Sequence, residues 1–453
     1  MTAGPIDPLR ADAAALTRAY AAGLADPESV AARLLDEIAR RDPAIRAFVD
    51  VDAAGATAQA QASAARWRAG RPLGPLEGVP IAVKSNIAVA GLPCAAGTGL
   101  WRSRIAAEDA VVVSKLKAAG AVLLGTLNMH EGALGATSDN PFHGRCQNPL
   151  RAGFTPGGSS GGSGAAVAAG FVPIALGTDT MGSVRIPAAY CGVTGLKPTA
   201  GLVSLHGVVP LSPTLDTVGP LARSPDDLAT VMAVLAGDDP QDPMSRPVPP
   251  DWQPTAPDLA LNRLRLGVPT ILDEIEIESA IRRAFEAAVG RLAARGARVA
   301  PIAIAGWEPS PLRRAGLLIA EAEAADLHPD WIAAKGGISD GLRAALIFGR
   351  DAPAVRLAAA QRRRRELAAG LRRALADVDA LILPTAPQRA FAHDAPVPAD
   401  QADLTAPANL AGLPAVTTPL GVDDGGLPAA FQCIGRPFAE AQLLALAACV
   451  SDS

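Results

Sequence analysis

The chain has 453 residues, 49% hydrophobic and 19% charged, the balance of a globular protein with a sizeable core. Its formal net charge of -4 gives no electrostatic case for binding nucleic acid. No uninterrupted apolar stretch approaches the ~20 residues of a membrane span, so no membrane contact is expected. The first residues lack the basic, apolar, then small-residue layout of a secretion signal. The five cysteines, at 94, 146, 191, 433 and 449, include no Cys-x-x-Cys pair. They fit free thiols in a reducing compartment, and a cytoplasmic protein is expected. The five histidines show no metal-binding grouping, so neither a metal nor another cofactor is expected.

In chain order, residues 11–70 are Ala-rich and read as helices interrupted near Asp26-Pro27 and Asp42-Pro43. Asp26 starts the second helix, with Pro27 in its first position. Val79 to Val83 is a short apolar run that reads as a buried strand ending at Lys84. Asp109 to Ala119 has a helical pattern closed by Gly120, and Ala121 to Leu124 reads as the next buried strand. That strand–helix–strand alternation predicts an α/β sheet. Residues 157–170 predict a tight turn feeding a closely packed helix, followed by a strand over Val172 to Leu176. Residues 237–258, rich in Pro and Asp, read as a surface loop. Beyond it come a strand at Arg265 to Val268, an amphipathic helix at Ser279 to Arg295, and helical patterns over 311–327 and 352–376. The dense basic run Arg362 to Arg365 lies in the last of these and reads as a solvated helix face. Ala380 to Leu383 is a buried strand ending at Pro384, 386–402 is loop-like, and Glu440 to Val450 reads as a final helix.

Four features need explaining together. Lys84 ends an apolar strand; such a lysine either snorkels to solvent or is desolvated, and then its pKa falls and it becomes a base. The run Gly157-Gly158-Ser159-Ser160-Gly161-Gly162-Ser163-Gly164 lacks the Lys-Ser/Thr of a phosphate-binding loop. It matches G-x-S-x-G twice, centred on Ser159 and on Ser160, the form of a nucleophile elbow. Gly177 to Arg185 follows a predicted strand; it reads either as an ordinary strand-to-loop turn or, since Gly182 permits successive amides to point the same way, as an oxyanion hole. Asp179 and Arg185, flanking that turn, are expected to pin its backbone through hydrogen bonds, the alternative being direct contact with substrate. Cys191, in apolar company, reads as a packed thiol rather than a nucleophile.

The stretch Gly157 to Thr199 resembles the amidase signature family. It holds Gly157 to Ser163, then Gly177-Thr178-Asp179-Thr180, Gly182-Ser183-Val184-Arg185, Pro187-Ala188-Ala189, Cys191-Gly192 and Gly195-Leu196-Lys197-Pro198-Thr199. Gly78 to Lys84 is similar to the family's lysine strand, and Asn128-Met129-His130-Glu131 with Asn140-Pro141 to its next motif. Leu383 to Pro387, Asn409 to Pro414 and Ile434 to Pro437 resemble its C-terminal half. The resemblance implies a single large α/β/α domain with a central mixed β-sheet flanked by helices. The N-terminal helical segment 1–70 would pack on a core of 71–453. It further implies a Ser–cis-Ser–Lys relay: Ser183 as nucleophile, Ser159 as bridging serine behind a cis peptide, and Lys84 as base. Thr180, Met181, Gly182 and Ser183 would supply oxyanion amides, and no cofactor would be needed. On this reading Ser160 is a helix-start residue and the elbow match is coincidental. Dimers are common in the family, which makes a homodimer the implied assembly.

Two departures bear on the substrate. Met181 stands where the commonest signature has Gly, adding a flexible apolar side chain near the acyl site, and Ser85 stands where Asp usually follows the lysine. One branch of the family, the glutaminase component of the tRNA-dependent amidotransferase, hydrolyses glutamine and passes ammonia to a partner; its usual Gly at 181 and Gln at 186 are absent here. With only 4% aromatic residues, an aromatic-lined pocket is not expected. The loop Ala133 to Asp139, through Ala133, Gly135 and Asp139, and the segment Leu312 to Leu346 are expected to shape the pocket. The leading expectation is an amidase acting on a small carboxamide or ureido-type substrate, with the glutaminase of a tRNA-dependent amidotransferase as the alternative. A Ser-His-Asp hydrolase would need His206, His328 or His393 as base. A non-enzymatic scaffold would leave the lysine and two serines without a purpose.

Overall fold

The computed structural model describes residues 6–255, 259–422 and 425–451. The first five residues of the predicted N-terminal segment and the last three of the loop predicted over 237–258 lie outside the described residues. Thirteen strands are found among the described residues: β1 (Phe48–Val51), β2 (Pro80–Lys84), β3 (Val122–Leu127), β4 (Asp139–Asn140), β5 (Gly144–Arg145), β6 (Ile174–Asp179), β7 (Thr194–Lys197), β8 (Thr217–Ala222), β9 (Arg265–Pro269), β10 (Arg298–Ile302), β11 (Ala380–Pro384), β12 (Ala415–Val422) and β13 (Pro428–Ile434). Eleven of them form one sheet in the order β1-β3-β2-β6-β8-β7-β12-β13-β11-β9-β10, and β4 and β5 form a separate ribbon. The sheet is mixed: β2 runs parallel to β3 and β6, while β8 is antiparallel to β6 and β7.

Strand alternation sorts the side chains into two apolar layers. In β2, Ile81 and Val83 join one cluster and Ala82 the other. In β6, Ile174 and Leu176 join the first and Ala175 the second. Both faces are covered, so these strands read as continuous apolar runs rather than alternating ones. The same alternation puts Lys84 on the face of Ala82, the face on which helix Gly161–Ala168 packs.

The predicted strands at 79–84, 121–124, 172–176, 265–268 and 380–384 all form, within a few residues. The N-terminal segment departs from the purely helical expectation. Helix Pro27–Ile45 is capped by Asp26, as expected, but runs through Pro43. That proline falls in the final turn, where its missing N–H costs one bond. The Asp42 carboxylate then accepts from the amides of Ala47 (2.8 Å) and Phe48 (3.1 Å), which steers the chain into β1 at the sheet edge. β7, β8, β12 and β13 form where the sequence pattern predicts no strand. Two of them carry an internal proline, Pro220 and Pro419, that masks the strand pattern. Pro220 nevertheless pairs with Leu176 in the sheet interior.

Candidate active site

The C-terminal ends of β2 and β6 lie side by side, because Val83 is in register with Leu176. Lys84 therefore emerges next to Thr178, and its Nζ lies 2.7 Å from Ser159 Oγ and 2.8 Å from Thr178 Oγ1. Ser159 follows a cis peptide from Gly158. Its carbonyl accepts from the amide of His130 (3.0 Å) and the hydroxyl of Ser138 (3.3 Å), which fix the turn from the far side. Ser160 precedes helix Gly161–Ala168, as expected, and locks it to β6. Its Oγ donates to the Thr178 carbonyl (3.1 Å) and accepts from the Thr178 amide (3.2 Å). Only a glycine at 177 allows this approach, since a Cβ there would stand 2.7 Å from Ser160 Oγ.

Lys84 is fully buried. Desolvation pulls its pKa down to about 7, against the opposing pull of Asp216 and Asp179. Asp216 is pushed up to about 6 by burial, opposed by hydrogen bonds and by Lys84. It accepts from Thr180 Oγ1 (2.5 Å) and from the amides of Leu211 (2.8 Å) and Ser212 (2.9 Å).

The turn from Asp179 to Arg185 is clamped as the flanking charges suggested. Arg185 forks onto both Asp179 oxygens at 3.0 Å and also donates to Thr405 O, Gln432 Oε1 and Asn409 Oδ1. Burial alone would raise the Asp179 pKa; Arg185 overrides it and holds the carboxylate at about 2. Asp179 also accepts from the amides of Gly182 (2.7 Å) and Val184 (3.1 Å). The Gly182 amide is thereby engaged, which corrects its expected place among the oxyanion donors. Gly182, at φ 133°, shapes the turn instead: a Cβ there would meet Thr405 Oγ1 at 2.2 Å. Among the described residues, no acceptor is found for the amides of Thr180, Met181 and Ser183.

Ser183 is half-buried and borders a cavity of about 140 Å³. Ala133 and Gly135 line that cavity, whereas Asp139 does not. It sits in the β4–β5 ribbon, paired with Arg145 at 2.8 Å and 42% exposed, which corrects its assignment to the pocket. Helix Pro309–Leu327 supplies Arg313, Leu317 and Ala320 to the lining, so only the first part of the predicted segment 312–346 contributes. Pro398, Ala399, Gln401 and Ala402, read only as loop, close another side. Among the described residues no hydrogen bond joins Ser159 to Ser183; such contacts are often long before substrate binds. A cleft of about 760 Å³ beside Trp101 and His328 is larger and borders none of Lys84, Ser159 or Ser183.

The histidines that a Ser-His-Asp relay would need are elsewhere. His328 stacks on Trp331 and bonds to Pro210 O, His393 bonds to Cys146 O, and His206 is exposed. His130, in the Asn128 to Glu131 motif, does lie beneath the site, but burial pulls its pKa down to about 4. Cys191 is buried, its Sγ 3.4 Å from Pro156 O, and burial pushes its pKa up.

The fold thus brings a desolvated lysine to Ser159, whose neighbour Ser160 donates its amide to the carbonyl of Ser183 at the cavity. The chain belongs to the amidase signature family: the Amidase family model matches residues 29–444. It is 37% identical to the A-type subunit of the glutamyl-tRNA(Gln) amidotransferase of Symbiobacterium thermophilum, over 96% of this chain and 95% of that one. Among solved structures it superposes with TM-score 0.91 and 34% identity, covering 98% of each chain, on one described as "An unexpected vestigial protein complex reveals the evolutionary origins of an s-triazine catabolic enzyme". The native peptide amidase of Stenotrophomonas maltophilia matches with TM-score 0.86 and 30% identity over 98% of this chain and 96% of that one. The protein is thus an amidase-family hydrolase acting on C–N bonds. No helix among its described residues is long and apolar enough to cross a membrane.

Proposed function

We propose that this chain hydrolyses a small carboxamide or ureido-type substrate through an acyl-enzyme on Ser183, with Ser159 and Lys84 as the proton relay. The observation that carries this reading is the 2.7 Å contact between a fully buried Lys84 and Ser159. With a pKa of about 7, Lys84 is neutral in a large fraction of molecules at neutral pH. A neutral amine accepts a proton along that contact while Ser159 takes one from Ser183. Ser183 Oγ then attacks the carbonyl carbon, and the oxygen gains the electron pair. Thr180, Met181 and Ser183 offer amides to that oxygen, each worth roughly 3–4 kcal/mol in such sites. The proton returns through Ser159 to the leaving nitrogen, the C–N bond breaks, and water regenerates Ser183 by the same route.

The cavity supports a small, uncharged acyl group. Among the described residues lining it, Arg313 is the one charged side chain, and it is paired with Asp403. The s-triazine context of one structural neighbour agrees with a nitrogen-rich amide.

The amidotransferase-type glutaminase is the second reading, favoured by the names of the curated relatives. Two assays on the purified chain separate the readings. Amide hydrolysis in the presence of hydroxylamine traps an acyl-enzyme as the hydroxamate, expected for small carboxamides and lost in Ser183→Ala. Ammonia release from glutamine alone, with none from small carboxamides, would favour the glutaminase.

A further inference from the structure

Met181 lines the cavity beside Ser183 and packs on a neighbouring helix. The Met181 side chain, 9% exposed, lies on Gly316 of helix Pro309–Leu327. A Cβ built at Gly316 would stand 2.9 Å from Met181 Cε and 3.0 Å from its Sδ, so the thioether occupies a notch that only glycine leaves open. Gly316 lies three residues after Arg313 and four before Ala320, on the helix face that borders the cavity. The notch therefore opens on the acyl side. Met181 cannot withdraw with its backbone, because its carbonyl is held by Thr405 Oγ1 at 2.7 Å.

We infer that Met181, seated in the Gly316 notch, sets the length of acyl group accepted at Ser183. This rests on the nucleophile proposed above. The space left beside Ser183, about 140 Å³, suits a short acyl group such as a butanoyl or ureido-carbonyl group. One methylene too many in a fixed apolar pocket lowers kcat/KM by about 10- to 200-fold.

The test uses the full chain and four proteins: wild type, Met181→Ala, Gly316→Ala and the double variant. Two readouts are taken: the rate at which fluorophosphonates with alkyl groups from methyl to octyl label Ser183, and ammonia release from acetamide through octanamide. Wild type should fall by at least about tenfold beyond a four-carbon chain. Met181→Ala should narrow that fall by at least about tenfold. Gly316→Ala, by driving the Met181 tip into the cavity, should depress even four-carbon substrates. In the Met181→Ala background the same change should have no further effect, because the clashing atoms are gone. A chain-length profile unchanged by Met181→Ala would overturn the inference while leaving the nucleophile intact, as would an equal effect of Gly316→Ala in both backgrounds. Wild type that labels elsewhere than Ser183 and hydrolyses no amide would overturn both.

Discussion

Two lysines in this protein have almost the same physical description. Lys84 and Lys197 are both fully buried, and in both desolvation pulls the pKa down to about 7. Asp179 acts on both from nearby. Their partners differ. Lys84 reaches two hydroxyls, Ser159 and Thr178, near a cavity. Lys197 donates to the carbonyl of its own neighbour, Pro198, at 2.6 Å, and is further suppressed by Arg185. A perturbed lysine thus identifies a candidate base only when a transferable proton lies within reach.

Removing the lysine that reaches a serine should have the largest effect. Lys84→Ala should lower kcat by about 10²–10⁴-fold, and Ser183→Ala by at least as much, in steady-state amide hydrolysis. Next comes the Arg185–Asp179 clamp, whose carboxylate acts on both lysines. Arg185→Ala leaves the Asp179 carboxylate buried without its cation, and should destabilise the protein by about 3–5 kcal/mol in urea unfolding. Because Asp179 is depressed when folded, its contribution is present above its ordinary value of 3.8 and is lost as pH falls through about 2.

A third prediction concerns pH. Activity should rise through about pH 7 as Lys84 loses its proton. Asp216→Asn removes a negative charge that raises the Lys84 pKa, so the rise should move to lower pH in a kcat/KM profile. Lys197→Met should leave that profile unmoved, with stability within about 2 kcal/mol of wild type. Its signature is in unfolding instead. Each lysine takes up a proton on unfolding between its folded value of about 7 and its ordinary 10.5, so stability rises with pH across that window. Lys197→Met should reduce the slope by one proton. The smallest effect is expected for Asp139→Ala, which breaks an exposed pair with Arg145 and should change stability by less than about 1 kcal/mol and activity less than twofold.

Much of this arrangement is legible in the sequence because it is local. Lys84 at a strand end, the Gly157–Gly164 run and the Asp179–Arg185 turn are contiguous stretches whose composition states their geometry. What is not legible depends on how a turn closes or on distant pairing. The engagement of the Gly182 amide by Asp179 requires the turn to be folded, and the seating of Met181 on Gly316 joins residues 135 positions apart. Asp139 looks like a pocket residue because its loop contains Ala133 and Gly135, but the β4–β5 ribbon turns it outward to Arg145. β8 and β12 stay hidden because Pro220 and Pro419 interrupt the pattern that marks a strand.

The most direct measurement is the pH dependence of fluorophosphonate labelling, with the modified residue located by peptide mass mapping, in wild type, Lys84→Ala and Lys197→Met. The expected result is label on Ser183 at a rate that rises through about pH 7, with the rise lost in Lys84→Ala and kept in Lys197→Met. Label on Ser159 or Ser160 that survives both substitutions, or a profile that follows Lys197, would contradict the relay.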